Sequence, residues 1–317
     1  MSVITDPIQE MKKQTIGVEV EMNNITRWDA ARVAAEFFGT HRYEDTAATN
    51  GYRTWSAWDS DGREWKFQRD SSIHGDDSQK CELVTPILTY EDITILQELC
   101  RRLRKAGARS DASRGCGVHI HIGAKGHDAK TLRNLANLMA SHEMLLIDSI
   151  KIDSDRIDTY CKVVDQRFLN KVNEKKPKTM ADLADVWYES QNCDWDRTDH
   201  YNRSRYHMLN LHATFTKGTI EFRLFQFDTP TRERKGGIHA GQLKSYIQLC
   251  LAMSQKAKDA RFMSPEPVQM DNPKYAMAGW LCNMGLTGDE FKTAREILTK
   301  KLTGNTGRRY ADQRRTA

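Results

Sequence analysis

The sequence lacks the features that stabilise most small secreted proteins or anchor a chain in a membrane. Its seven cysteines are scattered and include no Cys-x-x-Cys pair, so we expect neither a disulfide framework nor a zinc ribbon. No stretch approaches the roughly 20 apolar residues that span a bilayer, and the first residues, MSVITDPIQEMKKQ, lack the apolar core of a signal peptide. We therefore expect a cytoplasmic protein with no membrane partner.

The two common loop signatures of nucleotide-binding proteins are also missing. The chain contains neither Gly-x-Gly-x-x-Gly after a strand nor Gly-x-x-x-x-Gly-Lys-[Ser/Thr]. Prolines number only seven, and of the 317 residues 39% are hydrophobic and 29% are charged, which is typical of a globular protein with a core of its own. Any nucleotide must be bound in another way.

The end of the chain is basic. The net charge is +5, and much of the excess lies on six residues: Lys300, Lys301, Arg308, Arg309, Arg314 and Arg315. Such a tail is most often a solvated surface and less often a nucleic-acid contact, so we base no function on it. We expect a catalytic domain over residues 1–260 with an insert at about 173–205, followed by a C-terminal extension over 261–317.

Local patterns predict both helices and strands. Helical spacing occurs over 29–38, 90–106, 132–150, 179–189 and 239–258. Alternation or short apolar runs predict strands over 16–22, 64–69, 81–86, 117–122, 208–215 and 219–227, with hairpin turns at Asp61-Gly62 and Lys217-Gly218. This mixture predicts a layered α+β domain.

Three of the predicted strands repeat one design, in which polar side chains alternate with aliphatic ones. Because successive strand residues point to opposite faces, each strand presents its polar pair on one side: Glu19 and Glu21, His119 and His121, and Glu221 and Arg223. Two further strands extend the pattern with Glu82 and with Asn210 and His212. If these strands share a sheet, its apolar face packs on helices and its polar face collects the charged groups.

Each of these motifs taken alone has an ordinary explanation: a solvated strand face, hydrogen-bonded histidines or a cross-strand ion pair. The combination is more specific. Four carboxylates on one face, those of Glu19, Glu21, Glu82 and Glu221, repel one another unless a cation lies among them. Oxygen ligands with one imidazole suit Mg²⁺ or Mn²⁺, so the pattern predicts a shared metal site.

At these residues the sequence resembles the amidoligases of the glutamine synthetase and glutamate-cysteine ligase superfamily. Six runs carry the resemblance and follow in the family's order: GVEVE at 17–21, DSSI at 70–73, ELVTP at 82–86, GVHIHI at 117–122, RYHMLN at 205–210 and GTIEFR at 218–223. The resemblance implies a glutamine synthetase-like catalytic fold, in which an antiparallel sheet has a polar concave active-site face and helices pack on its apolar face.

The resemblance also implies an activity and a set of metal ligands. Enzymes of this family are ATP-dependent carboxylate-amine ligases that form an amide through an acyl phosphate, with two or more divalent ions such as Mg²⁺ or Mn²⁺. By this resemblance, Glu19, His119 and Glu221 hold the metal that bridges the ATP phosphates. Glu21 and Glu82 hold the metal near the substrate.

Four further residues receive catalytic roles by the same resemblance. Arg205 and Arg223 neutralise the transferred phosphoryl group, and His121 contacts the phosphate or the carboxyl substrate; these three bind the ATP cofactor. Asp70 is the candidate base for the incoming amine, although Asp70-Ser71-Ser72 stands where the family commonly has Asp-Gly-Ser.

Two other functions stay open at this point. A metal-dependent hydrolase or nuclease could also use a His-x-His pair with carboxylates, although the repeated strand-helix units of many such enzymes are not visible. A non-catalytic nucleotide- or metal-binding protein is the second alternative. The sequence does not identify the carboxylate or the amine, which could belong to a small molecule, a peptide or a modified macromolecule, and it leaves the oligomeric state open.

Overall fold

The computed structural model describes residues 6–47, 51–233 and 236–309, so Arg314 and Arg315 of the basic tail lie outside the described residues. The chain divides into two compact units. We call Lys13–Gly123 with Phe222–Lys244 the sheet unit, and the remaining residues, among them Ala124–Glu221, the helical unit. The domain limit that we place at residue 260 stays a prediction.

The sheet unit is built around an antiparallel sheet. Its strands are β1 (Ile16–Met22), β2 (Tyr43–Asp45), β3 (Trp55–Trp58), β4 (Glu64–Gln68), β5 (Cys81–Val84) and β6 (Val118–Gly123). Their order is β2-β3-β4-β5-β1-β6, and all five pairings are antiparallel. The next strand in the order is β8 (Thr219–Phe225), whose residues from Phe222 onward belong to this unit.

One face of this sheet is apolar and covered by helices. Val18, Val20, Phe67 and Ile120 are at most 1% exposed. Helix α2 (Arg27–Phe38) packs against β3, β4 and β5 and against α3 (Ile93–Lys105). Burying these aliphatic and aromatic side chains is the main source of stability for the sheet unit.

Local capping chemistry explains why helix α2 begins and ends where it does. The side chain of Thr26 accepts a hydrogen bond from the amide of Asp29 at the N-terminus, and Gly39 ends the helix in the left-handed conformation, with φ of 72°. The structure confirms the helix predicted over 29–38 and its end before Gly39, whereas the cap at Thr26 places its start two residues earlier, at Arg27.

The helical unit contains most of the other helices: α1 (Pro7–Lys12), α4 (Ala129–Ile150), α5 (Ser154–Thr159), α6 (Gln166–Lys175), α7 (Met180–Ser190), α8 (His212–Lys217), α10 (Pro273–Asn283) and α11 (Lys292–Thr299). Helix α4 contacts α6, α7 and α11. The short strand β7 (Leu209–Asn210) and the start of β8 also belong to this unit, while α9 (Ala240–Asp259) is divided between the units. None of the helices in the described ranges is long and apolar enough to cross a membrane.

The prediction of a strand over 208–215 is mostly wrong. Only Leu209–Asn210 is a strand, because Leu211 adopts a helical conformation and is the N-cap residue of α8. His212 is therefore the first residue of a helix, where its Nδ1 lies 2.7 Å from the hydroxyl of Tyr188. The hairpin turn predicted at Lys217-Gly218 is also wrong. These residues end α8, with Gly218 at φ of 72°, and connect that helix to β8. The sequence analysis also misses β2 and β3, although the Asp61-Gly62 turn between β3 and β4 is confirmed.

The apolar face of β6 offers a test of this architecture. Replacing Ile120, which is fully buried, with Ala should lower the free energy of unfolding by about 2–5 kcal/mol, because the smaller side chain leaves a cavity in a packed core. Denaturant unfolding followed by circular dichroism measures this change. The matched control is Ile87→Ala, since Ile87 is 75% exposed and its truncation should change stability by less than about 0.5 kcal/mol. Equal effects for the two variants would contradict the assignment of this face to the core.

Candidate metal centre

The pairing register of β1 places polar side chains from three strands side by side. Glu19 lies opposite His119 of β6, and Glu21 lies opposite Glu82 of β5. Side chains of directly opposed residues in an antiparallel pair project to the same face, with Cβ atoms about 4.5–5.5 Å apart. The carboxylates of Glu19, Glu21 and Glu82 and the imidazole of His119 therefore share a face, opposite the face covered by α2.

Glu19 is the centre of the histidine side of this cluster. Its Oε2 lies 2.9 Å from Nδ1 of His119, and its Oε1 lies 3.3 Å from Nε2 of His121. His121 is opposite Gly17 in the register, and a Cβ added at Gly17 would lie 3.4 Å from the Cβ of His121. The glycine thus leaves room for the second imidazole beside Glu19.

Glu21 and Glu82 form the other side of the cluster. The amide of Gly117 donates a 2.5 Å hydrogen bond to Glu21, and the side-chain amide of Gln68 donates a 2.7 Å hydrogen bond to Glu82. Gln68 belongs to β4 and lies directly opposite Glu82. The sequence analysis missed Gln68, although its alternation with the buried Trp65 and Phe67 was a signal that it occupies the polar face.

These residues supply two overlapping sets of metal-ligating atoms. One ligand atom from each of Glu19, Glu82 and His119 lies within 4.8 Å of the others, and the same holds for Glu21, Asp70 and Glu82. Glu82 belongs to both sets. Two ions that share a bridging carboxylate are compatible with this arrangement, and its oxygen-rich ligands with one imidazole match the preferences of Mg²⁺ and Mn²⁺.

Electrostatic interactions give Glu19 and Glu82 opposite pKa shifts. Burial raises the pKa of Glu82 well above its ordinary value of 4.5, and the nearby carboxylates of Glu19, Glu21 and Asp70 raise it further. Burial also raises the pKa of Glu19, but the interactions with His121 and His119 outweigh it and leave that pKa well below 4.5. The carboxyl group of Glu82 is therefore difficult to ionise, and a cation bound nearby would lower its pKa. The residues therefore fit a divalent metal.

Asp70 follows β4 and is both a turn residue and a member of the acidic cluster. Its Oδ1 accepts hydrogen bonds from the amide and the hydroxyl of Ser72, at 2.7 and 2.6 Å, which is the usual geometry of an aspartate that stabilises a turn. Because Asp70 also belongs to the set with Glu21 and Glu82, it can serve as a ligand or a proton acceptor. Its role as a base stays a prediction.

The remaining predicted site residues lie on β8 and in a turn of the helical unit. Glu221 is 1% exposed and accepts a 2.7 Å hydrogen bond from the side-chain amide of Asn210, also in the helical unit. Arg223 belongs to the sheet unit, is 5% exposed, and by strand alternation projects to the face opposite Phe222. Arg205 ends a short 3-10 turn, and its guanidinium donates to the carbonyl of His200 at 2.8 Å. The roles of these three residues stay predictions.

The fold and the cluster together define a class of protein: an α+β chain whose antiparallel sheet has helices on one face and, on the other, a carboxylate-imidazole cluster whose residues fit a divalent cation. Comparison with known families narrows this class. A family model described as "putative amidoligase enzyme" matches residues 12–254, well over half of the chain, so the chain belongs to this amidoligase family. A search of curated proteins found no match.

The raised pKa of Glu82 predicts how the metal-free protein responds to pH. Because the pKa of Glu82 is higher in the folded than in the unfolded protein, its contribution to the free energy of unfolding is fully present below the unfolded-state pKa near 4.5. This contribution is lost as pH rises through the folded-state pKa. Glu82→Gln removes this dependence. In EDTA, the free energy of unfolding of the wild type should therefore fall relative to that of Glu82→Gln as pH increases from about 4.5. Thermal or denaturant unfolding at a series of pH values measures the difference.

The same unfolding series with added Mg²⁺ is the control. The ion should reverse the trend for the wild type and have less effect on Glu82→Gln, because the uncharged amide is a poorer metal ligand than a carboxylate. A difference between the two proteins that is constant across the pH range would contradict the electrostatic account of the cluster.

Proposed function

We propose that this protein is an ATP-dependent amidoligase that joins a carboxylate to an amine through an acyl phosphate. The observation that carries the proposal is the pair of ligand sets that share Glu82, on the sheet of a chain that belongs to an amidoligase family. The substrates are a carboxylate and an amine from a small molecule, a peptide or a modified macromolecule. We place the reaction in the cytoplasm, where ATP is available.

The proposed metal ligands are divided between two ions. Glu19, His119 and Glu221 hold one ion, and Glu21 and Glu82 hold the other. Glu82 lies close enough to Glu19 and His119 to be shared between the two ions. Bound Mg²⁺ or Mn²⁺ supplies positive charge that offsets the repulsion between a carboxylate and the ATP phosphates. The short contact between His119 Nδ1 and Glu19 Oε2 fixes the imidazole, so that the chain presents its ligands in a set orientation.

The proposed reaction has two balanced steps. A carboxylate oxygen of the substrate attacks the γ-phosphorus of ATP, a new oxygen-phosphorus bond forms, and ADP leaves with the electron pair of the broken bond. The amine nitrogen then attacks the carbonyl carbon of the acyl phosphate, and inorganic phosphate leaves as the amide forms. An amine that is charged at neutral pH must first lose a proton, and Asp70 is the proposed acceptor.

Two arginines and one histidine complete the proposed site. Arg223 and Arg205 neutralise charge on the transferred phosphoryl group, since phosphoryl transfer depends on positioning and charge neutralisation. His121 contacts the phosphate or the carboxyl substrate, and its 3.3 Å approach to Glu19 supports a place beside the metal ligands. A metal-dependent hydrolase or a non-catalytic binding protein would use the same cluster without ADP release.

The proposal predicts metal-dependent ADP formation. Purified protein with ATP and Mg²⁺ or Mn²⁺ should release ADP when pooled carboxylates and amines are added. Glu19→Ala and His119→Ala should each lower the rate by about 100-fold or more, because each removes a ligand that positions charge for the reaction. Both variants should keep the circular dichroism spectrum and unfolding midpoint of a folded protein, because neither residue lies on the apolar face.

The control for this assay is Glu36→Ala. Glu36 is an exposed residue of α2 that pairs with Arg32 at 2.8 Å, so its loss should leave the rate unchanged. Full activity in both Glu19→Ala and His119→Ala would exclude the proposed metal site. Metal-dependent hydrolysis of a substrate without ATP would favour the hydrolase instead.

Gln68 offers a separate prediction about metal affinity. Because its amide orients Glu82 through a 2.7 Å hydrogen bond, Gln68→Ala should weaken Mn²⁺ binding by about 10–100-fold, the usual effect of removing a group that orients a ligand. Titration followed by the electron paramagnetic resonance signal of free Mn²⁺ measures the affinity. The matched control is Lys66→Ala, which changes the neighbouring polar-face position of β4, whose side chain contacts Glu64 at 3.6 Å. Equal affinities in the two variants would remove Gln68 from the site.

A further inference from the structure

The helical unit contains a second concave site, built almost entirely outside the residues that match the amidoligase family. Its cavity of about 330 Å³ lies along α10, between that helix, the segment before it and the end of the described chain. Of the residues that line it, only His142 of α4 falls within the matched range 12–254. The cavity is large enough for a small organic ligand, for which sites of about 300–1,000 Å³ are usual.

His142 presents one unused hydrogen-bond acceptor to this cavity. The side chain is 9% exposed, and its Nδ1 lies 2.8 Å from the hydroxyl of Ser141 and 3.1 Å from the carbonyl oxygen of Leu138. A carbonyl only accepts, so Nδ1 carries the hydrogen and Nε2 keeps a lone pair. Burial lowers the pKa of His142 to about 4, which keeps the ring neutral at neutral pH. Among residues 6–47, 51–233 and 236–309, none bonds to Nε2.

Trp280 also lines the cavity and carries a buried donor without a partner among the described residues. Its ring stacks on His142 with centroids 4.1 Å apart, and the side chain is 7% exposed. The indole nitrogen is buried and has no hydrogen-bond partner in the described part of the chain. A buried N–H without a partner is unfavourable, and a ligand with an acceptor on its edge would supply one.

Two small residues of α10 form part of the cavity lining. These are Ala276 and Gly279, and nothing lies within 4 Å of a Cβ built at Gly279. Glycine therefore leaves open a strip of helix surface on which a planar ring can lie. Tyr275 lies beside this strip, is 37% exposed, and offers a second aromatic surface.

The rim of the cavity is polar but carries little net charge. The cavity is lined by three side-chain amides, of Gln269, Asn272 and Asn283, with one carboxylate, of Asp271, and one guanidinium, of Arg309, which donates to Gln269 at 3.3 Å. Amides pair with heterocycle edges that combine donors and acceptors. The ligand best matched to these walls is a flat heteroaromatic ring with an edge donor for His142 and an edge acceptor for Trp280.

We propose that this cavity binds a purine nucleobase, presented as a nucleoside or nucleotide. The exocyclic amine of adenine provides the donor, and its ring nitrogens provide the acceptors. The ring lies over Gly279 and Ala276, and Arg309 at the rim is placed to contact a phosphate. The inference does not rest on the ligase proposal, because every residue it uses lies in the helical unit and none is a proposed metal ligand or catalytic group.

Calorimetric titration of the full chain with adenosine and with AMP, in EDTA, tests the proposal. Both ligands should bind with a saturable isotherm. Gly279→Leu, which fills the cavity, and His142→Phe, which keeps a stacking ring and loses the acceptor, should each weaken binding by at least about 10-fold. Cys282→Leu places the same side chain on an exposed position of α10 outside the cavity and should bind as the wild type does.

Two further measurements separate this site from the proposed active site. Glu19→Ala should bind adenosine normally, and Gly279→Leu should keep the ADP-release rate of the wild type. A single-stranded oligoadenylate that competes with AMP would assign the base to a nucleic acid, whereas no competition would assign it to a free nucleotide; both results support a base site. Absence of saturable adenosine binding, or binding unchanged in both Gly279→Leu and His142→Phe, would overturn the proposal. Binding of indole in preference to adenosine would also overturn it.

Discussion

Repulsion between carboxylates held on one face of a sheet is the constraint on which the site depends. Glu19, Glu21 and Glu82 come from two adjacent strands, and Asp70 reaches the same cluster from the end of a third. Strand pairing fixes their backbones, and the buried aliphatic residues on the other face hold the strands in register. The acids therefore cannot move apart. Their electrostatic repulsion must be reduced by protons, by hydrogen-bond donors or by cations.

The groups that stabilise these carboxylates are distributed unequally over the cluster. Two histidines lie against Glu19 and keep it ionised, while Glu82 has an amide from Gln68 and otherwise faces three carboxylates. The histidine side of the cluster is thus electrostatically compensated, whereas the side of Glu82 has an excess of negative charge when its carboxyl groups are ionised. Such an arrangement suits a divalent ion and, through it, anionic groups that the acids alone would repel.

Sequence patterns predicted those parts of the fold that local chemistry decides. The alternation in β1 and β6 identified both faces of the sheet, and Gly39 marked the end of α2. The segment after Leu209 was misassigned, because its apolar spacing fits a short strand as well as a helical turn, and the conformation of Leu211 decides between them. Gln68 was missed for a different reason. Its contact with Glu82 depends on the register between β4 and β5, which pairing across the sheet fixes and no local pattern encodes.

The most direct test of the central claim is calorimetric titration of Mg²⁺ into EDTA-stripped protein, performed in two buffers with different ionisation enthalpies. Binding should be saturable, and at pH values below the raised pKa of Glu82 it should release a proton, because a carboxyl group must ionise to become a ligand. The released proton should disappear in Glu82→Gln. Absence of saturable binding, or binding without proton release and unchanged in Glu82→Gln and Glu19→Ala, would contradict the claim that this cluster is a metal site.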